Sequence, residues 1–133
     1  MTWTLVSIFV GGFLAYGVGI PWYMILSKPW MAAARVTNED VNQTSPMPYL
    51  MALLAWLVAA AVLNLHIYPE LVGDKGVIHA LRVTVGLWLC FGLLSTVLST
   101  FFGRRGLNLI WIDGGYTLLG GFVLALCYSL IAV

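Results

Sequence analysis

Charged side chains are nearly missing from this sequence. Asp, Glu, Lys and Arg make up 8% of its 133 residues, against about 25% in a soluble globular domain. A chain so poor in charge has nothing with which to coat a water-facing surface. The net charge of +1 leaves no basic surface for nucleic acid, so no nucleic-acid partner is expected. There are two cysteines, Cys90 and Cys127, and both fall inside apolar stretches. On antiparallel helices they lie about 13 Å apart along the membrane normal, too far for a disulfide. A nucleophile–base–acid set at recognisable spacing is also lacking, and so is a phosphate-binding glycine loop. Gly114-Gly115 and Gly120-Gly121 fall within an apolar helix instead, where glycine serves helix contact. The chain is therefore expected not to be an enzyme, and no cofactor or metal is expected.

What is present is apolar length, 62% of the residues being hydrophobic. Four stretches, Trp3–Leu26, Met47–Ile67, Val77–Phe101 and Leu107–Ile131, each meet the roughly 20 residues needed to cross a 30 Å hydrocarbon layer. Backbone groups in lipid must satisfy one another, which leaves helices or a closed barrel. Barrel strands alternate apolar and polar residues, and Leu53–Leu63 (LLAWLVAAAVL) does not. The expected fold is all-α: one domain over residues 1–133, a polytopic membrane protein built as a four-transmembrane-helix bundle. The first stretch has no basic region before it and no small-residue cleavage site after it, so it reads as a retained helix and not as a signal peptide.

The loops set the orientation. Lys28 and Arg35 lie in loop 27–46, Arg104 and Arg105 in loop 102–106. Basic loops stay on the cytoplasmic side. The expected location is thus the cell's inner (plasma) membrane, with both loops cytoplasmic and both termini outside. Within loop 27–46, Pro29–Arg35 reads as a short interfacial helix. Thr37-Asn38-Glu39-Asp40 reads as a helix start, with Asp40 in the place of the usual capping-box Glu or Gln.

Small residues recur every fourth position on two helices. Gly11, Ala15 and Gly19 form one ladder, and Thr117, Gly121 and Ala125 another. Such ladders let helix backbones approach closely. Pro21 removes the hydrogen bond to the Gly17 carbonyl and is expected to kink the first helix. The freed carbonyl needs a donor, for which Tyr23, Tyr116 or a protonated Asp113 stand nearest.

Polar residues inside the spans carry the functional interest, because burying a charge in lipid is costly. Counting along antiparallel helices puts them in two layers. The inner layer holds Asp113, about 9 Å into the last helix, with Tyr116, Tyr23, Ser95 and Ser99. Asp113 reads either as a proton or cation site or as a structural residue locking the first helix to the fourth; a pairing with Arg104 or Arg105 would also be structural. The outer layer holds Asn64, His66, His79 and Arg82. Its spacing matches no standard metal signature.

Trp22-Tyr23, then Lys28-Pro29-Trp30-Met31 and the acidic turn at Thr37–Asp40, resembles the start of a family of small bacterial membrane proteins. The run from Gly103-Arg104-Arg105 to Asp113-Gly114-Gly115-Tyr116 resembles its final helix. The family is domain-of-unknown-function family 1761. The resemblance covers essentially the whole chain; it implies a four-helix integral membrane protein and implies no activity. The sequence thus favours a non-enzymatic accessory or self-assembling membrane subunit. Its partners would be the lipid bilayer and either further copies of itself or a larger membrane complex. The alternative is an oligomeric channel or carrier for a small solute or ion, with Asp113 in the pathway.

Overall fold

In the computed structural model, residues 1–37, 39, 40 and 45–133 are described. Of the expected acidic turn, Asn38 lies outside the described residues. Among those residues the chain is helical. Helix α1 spans Thr2–Ile25, α2 Ser27–Ala34, α3 Met47–Leu71, α4 Val77–Phe102 and α5 Asn108–Ala132. All but α2 are long and apolar enough to cross a membrane. Short π-helical turns interrupt α3 at Leu63–Ile67 and α4 at Trp88–Leu93, and another closes α5 at Tyr128–Ala132.

The helix ends follow from local chemistry. Pro48 lies in the first turn of α3, where its missing N–H is not needed. Arg35 ends α2 in the left-handed conformation at φ 60°. Between α3 and α4 the chain turns on Gly73 (φ 55°) and Gly76 (φ 93°), conformations that only glycine adopts without strain.

The helices are not equivalent. In α1, 33% of the most apolar window is buried, and in α5 28%; in α3 it is 11% and in α4 6%. Helices α1 and α5 therefore form the centre, packed against each other. Helix α3 lies on α1, and α4 lies on α5. One buried cluster, Ile8, Ala15, Ala60 and Leu124, joins α1, α3 and α5. A second, Tyr68, Val72, Ala80, Ala125 and Tyr128, joins α3, α4 and α5 at the end that carries the α3–α4 turn.

Pro21 does not break α1, which runs on to Ile25. The break comes at Leu26 (φ −98°, ψ 16°), where α1 gives way to α2. Helix α2 then packs on the start of α5. The Gly106 N–H donates to the Ala33 carbonyl at 2.7 Å. A Cβ on Gly106 would lie 2.8 Å from the Ala33 Cα, so only glycine permits this approach.

Candidate functional site

The site grows from the first turns of α5. Leu109 and Ile112 are fully buried, which turns Asp113 toward α1. On either side of Asp113 an indole fastens α5 to a neighbouring helix. Trp22 of α1 donates to the Ile112 carbonyl at 2.8 Å. Trp88 of α4 donates to the Gly114 carbonyl at 2.9 Å and to Thr117 Oγ1 at 3.1 Å. Gly115 makes room for the Trp22 ring, whose Cζ2 lies 2.8 Å from where a Cβ would stand.

Held there, the Asp113 carboxylate accepts the Tyr23 hydroxyl on Oδ1 at 2.7 Å. Oδ2 accepts no hydrogen bond from the described residues, and Asp113 forms no ion pair among them. Neither Arg104 nor Arg105 closes on it. One turn further along α5, the Tyr116 hydroxyl donates to the Ala15 carbonyl at 3.0 Å and to the Tyr16 carbonyl at 3.2 Å. It does not serve the Gly17 carbonyl. Gly19 explains the displacement: with no Cβ there, the Tyr116 ring lies flat on α1, its Cζ 2.7 Å from the vacant Cβ position. The hydroxyl is thereby carried one turn back along α1.

Tyr23 and Tyr116 meet edge to face, with centroids 5.3 Å apart at 79°. Tyr23 meets Trp30 of α2 at 6.2 Å and 81°, and Tyr116 meets Trp56 of α3 at 5.5 Å and 67°. The rings of Tyr23, Tyr116 and Trp30 and the carboxylate border a cleft of about 900 Å³ between α1, α2, α3 and α5. Tyr16, Tyr49, Met24 and Met31 complete most of its wall, and among the described residues Asp113 is the one formally charged residue on it.

Ser95 and Ser99, expected in this layer, do not join it. Both are exposed, and Ser99 donates back to the Thr96 carbonyl of its own helix at 3.1 Å. The physical reason is rotation of α4: the face that meets α5 carries Trp88, Thr84 and Ala80. The places given to the serines are taken by aromatic rings.

The outer layer does not assemble as one cluster. Asn64 is buried; it accepts the Ser7 hydroxyl at 2.7 Å and donates to the Ala60 carbonyl at 2.8 Å. His66 and Arg82 are exposed on the outer faces of α3 and α4. A ring nitrogen of His79 lies 3.0 Å from the Leu71 carbonyl at the end of α3. The buried polar contact between α3 and α4 is instead Tyr68 with Thr84, 2.7 Å apart. Ser7 had a signal in the sequence, since it extends the Gly11–Ala15–Gly19 ladder one step back. Trp88 and Trp30 had none, because a tryptophan in an apolar span or a short loop helix reads as lipid-facing or interfacial.

Both ladders are used inside the chain. Gly11 faces Leu124 and Cys127 of α5, and Gly19 faces Tyr116; Ala15 is fully buried. On α5, Thr117 accepts from Trp88, Gly121 faces Thr84 and Ala125 lies in the α3–α4–α5 cluster.

Four apolar helices, two of them a central antiparallel pair, with a carboxylate set among aromatic rings, fit a small protein of the multi-pass membrane type. Within that class the chain belongs to the DUF1761 family, described as proteins of unknown function, whose model matches residues 6–129. No curated protein matches the chain, and no solved structure does.

Proposed function

We propose that the protein is a non-enzymatic ligand-binding protein of the bacterial inner membrane that admits a small amphiphilic molecule to the cleft beside Asp113. The observation that carries this reading is the cleft itself: about 900 Å³, walled mainly by tyrosine, tryptophan and methionine, with one carboxylate. Ligand sites have this make-up, a largely apolar wall with a few placed polar groups. A water-filled pathway would need polar residues along the length of the bundle, and Asp113 lies at one end of it. The reading is non-enzymatic because, among the described residues, the wall offers Asp113 no second carboxylate, histidine or thiol to share acid–base work.

Lys28, Arg35, Arg104 and Arg105 cluster at the end of the bundle that holds the cleft, which supports a cytoplasmic setting for that end and outward-facing termini. The accessory-subunit reading loses its main support, because both small-residue ladders are spent on contacts within the chain. Association with further copies or a larger complex is not required to complete the cleft, whose walls come from a single chain.

The test is saturable binding of N-phenyl-1-naphthylamine, a neutral fluorophore that brightens in apolar sites, to the purified protein. Ala52 lines the cleft, and Ala52→Trp narrows it. Saturable binding that Ala52→Trp weakens by about tenfold or more, equal to about 1.4 kcal/mol, is the expected result. Binding that the substitution leaves unchanged would place the ligand elsewhere and overturn the reading.

A further inference from the structure

The chemistry of the cleft wall selects among amphiphiles. Asp113 has one oxygen engaged by Tyr23 and the other without a donor among the described residues. No Lys, Arg or His lies on the wall to neutralise it. An ionised carboxylate in apolar surroundings is costly unless a positive charge is near; among the described residues Arg105 is near enough to act on Tyr23 through space, but none forms an ion pair with Asp113.

The rings around it are suited to the same task. Tyr23 stands nearly perpendicular to both Trp30 and Tyr116, at 81° and 79°. All three rings line the cleft. Tyrosine and tryptophan faces attract cations within about 6 Å of the ring centre, most strongly where water is excluded. A metal ion would find only one carboxylate and no further charged ligand. An alkylammonium or phosphonium carrying apolar groups would find the carboxylate, the ring faces and apolar volume together.

We infer that the ligand class of the cleft is a lipophilic organic monocation, held by Asp113 and by the rings of Tyr23, Tyr116 and Trp30. The inference rests on the ligand-binding reading above and deepens it.

Three probes on the intact protein separate the two. They are neutral N-phenyl-1-naphthylamine, tetraphenylphosphonium, and tetraphenylborate, which has the shape of the phosphonium and the opposite charge. Tetraphenylphosphonium is expected to displace the neutral fluorophore, and tetraphenylborate is not. Asp113→Asn is expected to weaken the phosphonium by about tenfold or more relative to the fluorophore, the scale of a desolvated charge contact. Asp113→Glu is expected to retain phosphonium binding. Equal displacement by cation and anion overturns the cation assignment without any variant, and so does an Asp113→Asn protein that binds the phosphonium as the parent does. In either case saturable fluorophore binding keeps the ligand-binding reading. Failure of the fluorophore to bind at all overturns both.

Discussion

The hydroxyl of Tyr23 and the carboxylate of Asp113, 90 positions apart in sequence, are joined at 2.7 Å across α1 and α5. This bond ties the two central helices together beside the cleft. Tyr23→Phe removes the donor and leaves Oδ1 unsatisfied in a half-buried setting. The expected loss is about 1–2 kcal/mol of unfolding free energy, read by thermal or detergent denaturation. Asp113→Asn keeps an acceptor in place and is expected to cost less. An Asp113→Asn loss larger than that of Tyr23→Phe would count against this account of the pair.

Glycine substitutions give a sharper test of the packing, because the same change meets different surroundings. At Gly106 a methyl group would collide with the Ala33 backbone, Cα at 2.8 Å and O at 3.1 Å. Backbone cannot swing aside as a side chain can. Gly106→Ala is expected to detach α2 from α5 and to lower stability by about 1–3 kcal/mol. At Gly17 and Gly86 nothing lies within 4 Å of a built Cβ. Gly17→Ala and Gly86→Ala are expected to be neutral or slightly stabilising, since alanine is the better helix former. Melting temperatures of the three variants, measured in one detergent, decide the matter.

Much of the fold was legible because membrane helices advertise their length. The four apolar runs reappear as α1, α3, α4 and α5, with ends shifted by a few residues; α3 runs on to Leu71 where the sequence reading stops at Ile67. The short interfacial helix of the first loop appears as α2. Position along the bundle was legible too, because rise per residue is fixed, and Asp113, Tyr23 and Tyr116 do meet. Rotation about the helix axis was not. Helix α4 is apolar around most of its circumference, so nothing in its pattern says that Trp88 faces α5 while Ser95 and Ser99 face outward. The same gap separates buried Asn64 from exposed His66, two residues further along α3. Nor could the ladders announce their partners: a run of small residues says that a backbone approaches, not whether it belongs to the same chain.

The acidic turn after α2 gives a pH dependence of known sign. The Thr37 backbone N–H donates to Asp40 Oδ2 at 2.8 Å, and the Asp40 N–H donates to Thr37 Oγ1 at 3.2 Å. The Thr37 amide, and after it the Thr37 side chain, hold the Asp40 carboxyl below the usual carboxylate range. A carboxyl whose folded value is depressed stabilises the turn at any pH above its unfolded value, about 3.9, and loses that contribution as pH falls through the folded value. The turn is therefore expected to be intact at neutral pH and to open only in acid. The Thr37 amide proton resonance should shift on acidification, with a midpoint below that of an ordinary aspartate. Asp40→Asn should abolish the shift. A midpoint at or above the ordinary value would show that the bond does not favour the charged form.

At the opposite end of the α1–α3 contact, Ser7 and Asn64 form a buried polar pair, with exposures of 0% and 1%. Asn64 Oδ1 accepts from Ser7, while its amide donates to the Ala60 carbonyl of its own helix. The two bonds fix the side chain at both ends, so the pair sets the rotational register of α3 on α1. Side-chain hydrogen bonds between membrane helices are worth about 0.6 kcal/mol on average and up to about 1.7. Ser7→Ala is expected to fall in that range, and Asn64→Leu to cost more, since it also leaves Ser7 without an acceptor and crowds the α1 backbone. A double-mutant cycle with Ser7→Ala and Asn64→Ala isolates the pair term, expected at about 0.6–1.7 kcal/mol. A coupling of zero would mean that α1 and α3 find their register through apolar packing, the Gly12–Leu57 contact and the Ile8–Ala15–Ala60 cluster.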